Sequence, residues 1–282
     1  MKNFLIITND KKDPQYTLTH EISDYIEKKG ASAKIAAKSM DGEKGSIIPE
    51  NTPIDCVLVL GGDGTMLRAA KDIMDRQIPI LGINLGTLGF LADVEKDRYK
   101  EAIDALIEDK FFIQERMMLK AVIVHANGEN AEVNAALNDI VVTKKDLVKI
   151  IRVEIYVNGQ YLYSIDADGI IASTPTGSTG YSMSAGGPII NPSASLISIT
   201  PICAHTMNIR TIVVGPDDIV EFVIGKGRDE DILNAQVSSD GGAGIAVVTG
   251  DRIRITRAGY SIKLIKTEET SFLQTLNRKM SG

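Results

Sequence analysis

Apolar residues run in short, unbroken blocks through the first hundred positions, and each block is followed by a stretch with helical spacing. FLIIT (4–8) reads as a strand, and Leu18, Ile22, Tyr25 and Ile26 form a helix stripe that stops at Gly30. ASAKIAAK (31–38), CVLVL (56–60) and IPILGIN (78–84) are further strands, and Ile103, Leu106 and Ile107 mark a later helix. Strands apolar throughout, rather than alternating, suit a parallel sheet covered on both faces. The alternation of the two periods predicts an α/β open sheet of Rossmann-like kind. After about residue 115 the helical stripes nearly vanish. IRVEIYVNGQYLYSI places Asn158-Gly159 between two β-rich arms, a hairpin signal. LISIT, TIVV, IVEFVI, GIAVV, RIRITR and YSIKLIK follow as separate strands, which predicts a β-sandwich-like second domain. Phe272, Leu276 and Met280 return to helical spacing within 268–280. The expected division is 1–114, an α/β domain; 115–267, a β-rich domain; and 268–282, a helix that packs back onto the first domain.

Composition narrows the function classes. The 282 residues are 44% hydrophobic and 24% charged with no Trp, as in a soluble globular protein. A net charge of −6 argues against nucleic-acid binding driven by a basic surface. No apolar run approaches the ~20 residues that span a membrane, and the N-terminus is too short in apolar residues for a signal peptide. Cys56 and Cys203 lie in apolar runs and share no CxxC, so both read as reduced core residues of a cytoplasmic protein.

Candidate chemistry sits where strands end in glycine. CVLVL runs into Gly61-Gly62-Asp63-Gly64-Thr65 and then a helix stripe of Met66, Leu67, Ala70, Ile73 and Met74. Ligands of open α/β sheets lie beyond the carboxyl ends of the strands, and glycines with a helix N-terminus suit phosphate. Asp63 is an anion in that place. It either accepts a proton or holds a metal, or it caps the helix; the segment alone leaves both open. PILGINLGTLGFLAD (79–93) repeats the pattern with Gly86, Gly89 and a closing Asp. DGIIASTPTGSTGYSMSAGGPIINP (168–192) is dense in Gly, Ser and Thr, a supply of uncharged donors for a polar, phosphate-bearing ligand. GxxxxGK[ST] is absent, which excludes a P-loop enzyme; the standard Rossmann fingerprint GxGxxG is absent after the first strand, and so is HExxH. His20 reads as solvated, His125 as structural, and His205 as a weaker site candidate.

GGDGT before a helix, LNDIVV (137–142), the 168–192 block, ITPICAHTMNIR and VSSDGG (237–242) together resemble the NAD kinase family. The resemblance covers nearly the whole chain and rests chiefly on the long TPTGST block, since GGDGT is shared with lipid kinases and relatives of phosphofructokinase. It implies transfer of the γ-phosphoryl of ATP, or of polyphosphate, to the 2′-hydroxyl of the adenosine ribose of NAD. Asp63 is then the base or orienting acceptor, and Gly62 and Gly64 give the substrate room. Arg68 and Mg²⁺, or another divalent cation held mainly through the donor phosphates, serve the triphosphate. Phe90 lines the adenine pocket, Asn138 and Asp139 meet ribose hydroxyls, and Asp168, Thr176, Thr179, Gly180, Tyr181 and Ser184 surround the dinucleotide. Asp139 stands where Glu is commoner, Asp166 where bacterial relatives often have Arg, Gly180 where Ala is usual, and Gly242 where Gln is. The resemblance also implies a homodimer or homotetramer with no nucleic-acid or membrane partner. A lipid or sugar kinase sharing GGDGT, and a non-catalytic dinucleotide sensor, are the alternatives.

Overall fold

The computed structural model describes residues 1–36, 52–87, 89–92, 94–146, 149–205, 209–227, 230–268 and 271–281. The end of the ASAKIAAK stretch, the closing Asp93, residues 206–208 of ITPICAHTMNIR and residues 269–270 lie outside them. The chain divides into two compact units, 1–115 with 260–282, and 116–259.

In the first unit, strands β1 (Asn3–Thr8), β2 (Ser32–Ile35), β3 (Cys56–Gly61) and β4 (Ile80–Asn84) pair in parallel in the order β4-β3-β1-β2. Helices α1 (Thr17–Lys28), α2 (Asp63–Ile73) and α3 (Tyr99–Ile107) alternate with them. Ile22, Ile26, Ile103 and Leu106 pack on Phe4, Ile6, Leu58, Leu60, Leu81 and Ile83 to form one core. The whole of β3 is buried, as its unbroken apolar run requires. A two-residue strand β5 (Val94–Glu95) extends the edge beside β4.

The second unit begins within β6 (Phe112–Val124) and is a β-sandwich. One layer holds β7 (Asn130–Ala136), paired with β6, and the hairpin of β9 (Ile151–Val157) and β10 (Gln160–Ala167). The other is antiparallel and includes β8 (Asp139–Lys144), β11 (Gly169–Ser173), β12 (Ile197–Ile202) and β13 (Ile212–Val214). β14 (Val220–Ile224) joins the first layer, and β15 (Asn234–Ser239) and β16 (Ile245–Val248) the second. Their inward faces, among them Ile155, Ile165, Ile170, Ile199, Phe222 and Val237, form a separate core. At the hairpin tip Asn158 and Gly159 take φ of 52° and 76°, the left-handed pair that a tight turn demands.

Two expectations change. RIRITR and YSIKLIK are one strand, β17 (Arg252–Lys266), running straight through Ala258-Gly259. Cys203 is not a core residue: it leaves the end of β12 exposed, at φ 47°, whereas Cys56 is buried; both are free thiols. After α4 (Tyr181–Ser184), the last helix, α5 (Phe272–Met280), begins and ends with its stripe, inside the 268–282 segment expected for it. Ser271 accepts a bond from the Gln274 amide at 3.2 Å, and the Gln274 side chain accepts one from the Ser271 amide at 3.0 Å, a capping box that fixes the start. Among the described residues no helix is long and apolar enough to cross a membrane.

His20 is exposed on α1, and His125 is tied into the second unit through Asp251. The Asp251 side chain is only 2% exposed. Burial pushes its carboxyl up, but the amides of Val248 and Ala126 and the His125 ring bring it below the usual range. A depressed folded value means stability present above the unfolded carboxylate range and lost as pH falls through the folded one. Asp251→Asn is therefore expected to cost roughly 2 kcal/mol at pH 7. The gap to the parent should narrow below about pH 4, as urea melts at several pH values would show.

Candidate functional site

The Gly61–Thr65 corner is built from the end of β3. Gly61 must lack a side chain, because a β-carbon there would lie 2.6 Å from Thr65 Cβ. Gly62, not Asp63, occupies the N-cap position of α2, and no side chain caps the helix. The capping alternative for Asp63 is thereby excluded. Its carboxylate reaches the other glycine stretch instead. Oδ2 accepts from the Phe90 amide at 2.9 Å, and Oδ1 from those of Leu91 at 3.0 Å and Ala92 at 3.3 Å. A β-carbon on Gly89 would fall 2.7 Å from Asp63 Cγ, so the close approach depends on that glycine. A carboxylate offers about four lone-pair positions. Three are used by backbone and one remains for a hydroxyl.

Gly64 has open space where a side chain would be, and Arg68 is exposed one turn further along α2, near Asp72. The Phe90 ring is covered on the protein side by α5: Phe272 lies at 6.0 Å between ring centroids, and Lys279 Nζ at 4.3 Å over the ring.

The second unit carries the other predicted residues, and three of them gather around one turn. Leu137, Asn138 and Asp139 donate their amides to Asp240, at 2.9 Å (Oδ2), 2.8 Å (Oδ1) and 3.1 Å (Oδ1). Thr174 Oγ1 donates to Leu137 O at 2.6 Å, and the Thr174 amide to Asn138 O at 2.8 Å. Gly177 then packs flush on this turn, where a β-carbon would lie 2.5 Å from Asn138 C. A β-carbon at Gly180 would stand 3.5 Å from Asn138 Nδ2 and 3.9 Å from Asp139 Oδ2. Asn138, Asp139 and Gly180 are thus brought together. Thr176 is buried and accepts, through its carbonyl, a bond from Thr179 Oγ1 at 3.3 Å. Tyr181 and Ser184, on α4, are exposed.

Asp168 lies apart from that turn, in an ion pair with Lys144 at 2.7 Å. The reversed charge at Asp166 is neutralised: Arg152, its cross-strand partner, donates to both carboxylate oxygens at 2.8 and 2.9 Å. His205 lines a recess of about 370 Å³ with this pair. Among the described residues no three His, Cys, Asp or Glu side chains gather to hold an ion.

The residue-level reading missed Gly89, Gly177 and Asp240 as organisers of the site. VSSDGG, already part of the resemblance, was the available signal for Asp240. Gly89 stood in the glycine pattern of 79–93, with no local sign that Asp63 lies against it.

Comparison with known proteins converges on one family. Residues 4–111 match the ATP-NAD kinase N-terminal domain and residues 137–267 the ATP-NAD kinase C-terminal domain. The NAD kinase of Agathobacter rectalis is 44% identical over 100% of this chain and 99% of its own. That of Lachnoclostridium phytofermentans is 40% identical over 99% of each chain. In fold, the chain is similar to yeast NADH kinase complexed with NADH (TM-score 0.84, 23% identity, covering 100% of this chain and 88% of that one). It is also similar to the Archaeoglobus fulgidus NAD kinase in complex with ATP (TM-score 0.76, 24% identity, 95% of each). With both family domains matched in order and relatives alike from end to end, the chain belongs to the NAD kinase family of phosphotransferases.

Proposed function

We propose that the protein transfers the γ-phosphoryl group of ATP to the 2′-hydroxyl of the adenosine ribose of NAD, giving NADP and ADP. The observation that carries this reading is Asp63, held at a glycine corner by three backbone amides with one acceptor position free. In the transfer, a bond forms between the ribose 2′-oxygen and the γ-phosphorus as the bond from that phosphorus to its bridging oxygen breaks. ADP leaves with the electron pair. Asp63 accepts the hydroxyl's hydrogen bond and takes its proton as the new bond forms. Most of the remaining work is positioning. Asn138 and Asp139 take ribose hydroxyls, Phe90 offers the adenine its uncovered side, and Thr176, Thr179, Gly180, Tyr181, Ser184 and Asp168 hold the dinucleotide.

Gly64 leaves room at the reacting hydroxyl and Arg68 reaches the donor. A divalent cation, Mg²⁺ by preference, would be held mainly through the donor phosphates and would supply neutralisation of their charge. Among the described residues no three His, Cys, Asp or Glu side chains gather, and Mg²⁺ is usually held by few side chains and by substrate phosphates. The two free thiols suit the cytoplasm. A homodimer or homotetramer is expected, and light scattering measures which.

The test mixes protein with NAD, ATP and Mg²⁺ and reads NADP through an NADP-specific dehydrogenase. Parallel reactions hold NADH in place of NAD, and polyphosphate in place of ATP. NADP is expected to form, and EDTA is expected to reduce the rate to background. NAD binding by calorimetry without NADP in any reaction would overturn the kinase reading in favour of a sensor.

A further inference from the structure

The turn after β1 reads TNDKKDPQYT, and its two ends are fixed. On one side the Asn9 amide donates to Leu60 O at 2.8 Å, and Asn9 Nδ2 to Thr65 Oγ1 at 3.0 Å, which ties the turn to both sides of the Gly61–Thr65 corner. Asn9 O then accepts the amides of Lys12 and Asp13, each at 3.0 Å. On the other side the buried Asp13 carboxylate accepts from the Thr19 amide at 3.0 Å and the Thr19 hydroxyl at 2.7 Å, anchoring the start of α1. Burial pushes the Asp13 carboxyl up, but these bonds, with the amides of Leu18 and Thr17, hold it below the usual range. The anchor is therefore an anion at neutral pH.

Lys12 lies between those anchors, and its amine is directed at two glycines. A β-carbon on Gly62 would lie 3.4 Å from Lys12 Nζ, and one on Gly86 2.8 Å from it. The Gly86 amide is itself fixed by Asn84 Oδ1 at 2.9 Å. The ammonium thus spans the carboxyl ends of β3 and β4, the edge of an open sheet where ligands sit. Among the described residues no carboxylate forms an ion pair with it. A lysine held over two side-chain-free corners is a compact cation with three donors.

We propose that Lys12 binds the phosphate chain of the donor and holds its terminal phosphates at the Gly62 and Gly86 corners. This rests on the phosphotransferase reading above and extends it to a residue outside the GGDGT motif. The chemistry recognised is a polyphosphate chain, carried by a nucleoside triphosphate or by inorganic polyphosphate.

Initial-rate kinetics on Lys12→Met and Lys12→Arg in the full chain, with ATP and with polyphosphate as donor, separate the cases. For Lys12→Met the KM of the donor should rise and kcat/KM for it fall by roughly tenfold or more. The KM of NAD should stay within about twofold. Lys12→Arg should recover much of the loss, and the thermal midpoint should not move. Loss with ATP alone would assign the contact to the nucleotide donor, and loss with both donors to the phosphate chain as such; either supports the assignment. Unchanged donor kinetics would overturn it, as would equal losses for donor and NAD without rescue by arginine. If the parent protein makes no NADP, the kinase reading fails separately. Calorimetry of a non-hydrolysable ATP analogue on the same variants then still decides: equal affinity for parent and Lys12→Met overturns the role of Lys12.

Discussion

Asp63→Asn is expected to lower turnover by roughly 10²–10⁴-fold while leaving NAD bound. The two parts of that expectation have different causes. In the proposed role the carboxylate accepts the proton of the reacting hydroxyl, and an amide there cannot take it. The same substitution also turns an NH2 group toward backbone donors, because Phe90, Leu91 and Ala92 present N–H groups to both oxygens. One amide bond is replaced by a donor facing a donor, a cost of about 1–3 kcal/mol. A modest fall in thermal midpoint should therefore accompany the loss of rate. Gly89→Ala separates tether from acid-base chemistry. It keeps the carboxylate but drives a β-carbon to 2.7 Å from Asp63 Cγ, so the side chain has to leave its amides. Turnover should fall here too, although no titratable group has been removed. Single-turnover rates and NAD calorimetry on both variants are the measurements. A normal rate for Asp63→Asn would remove Asp63 from the chemistry.

Where structure follows from local periodicity, it was legible in the sequence. The change from an unbroken apolar run to helical spacing located β3, the glycine corner and α2, and Asn158-Gly159 located its hairpin because both positions need positive φ. The single strand β17 was not legible, because Ala258-Gly259 reads as a turn. A glycine permits a turn without requiring one. Cys203 shows the limit of apolar runs as burial signals: it ends its strand, and the chain turns outward there. The partners of Asp63 were illegible for another reason. They are backbone amides 27 to 29 positions away, and an amide carries no residue type that a motif could display. What stood in the sequence was Gly89, whose necessity appears only once the carboxylate lies against it.

Asp240→Asn is expected to have the second large effect, and of the opposite kinetic kind. Asp240 repeats the Asp63 arrangement in the second unit: one carboxylate accepting three consecutive amides, here Leu137, Asn138 and Asp139. The bond is reciprocal, since the Asp240 amide donates to Asp139 O at 3.1 Å, with Asp240 held at φ 47°. Asn tolerates that left-handed backbone, so the substitution tests the carboxylate rather than the turn. Its NH2 faces a main-chain donor and its remaining oxygen loses the charge that strengthened the bonds. The cost is about 2–4 kcal/mol, or a fall of roughly 4–16 °C in thermal midpoint for a unit of this size. The turn would still be held by Thr174, through its hydroxyl to Leu137 O and its amide to Asn138 O, so the fold should survive with Asn138 and Asp139 less fixed. NAD affinity should then weaken by roughly tenfold or more, with kcat at saturating NAD close to the parent value. Asp63→Asn lowers kcat and spares binding; Asp240→Asn lowers binding and spares kcat. Were Asp240→Asn to leave both NAD affinity and the melt unchanged, the turn it clamps would be rigid without it, and the ribose contacts assigned to Asn138 and Asp139 would need another support.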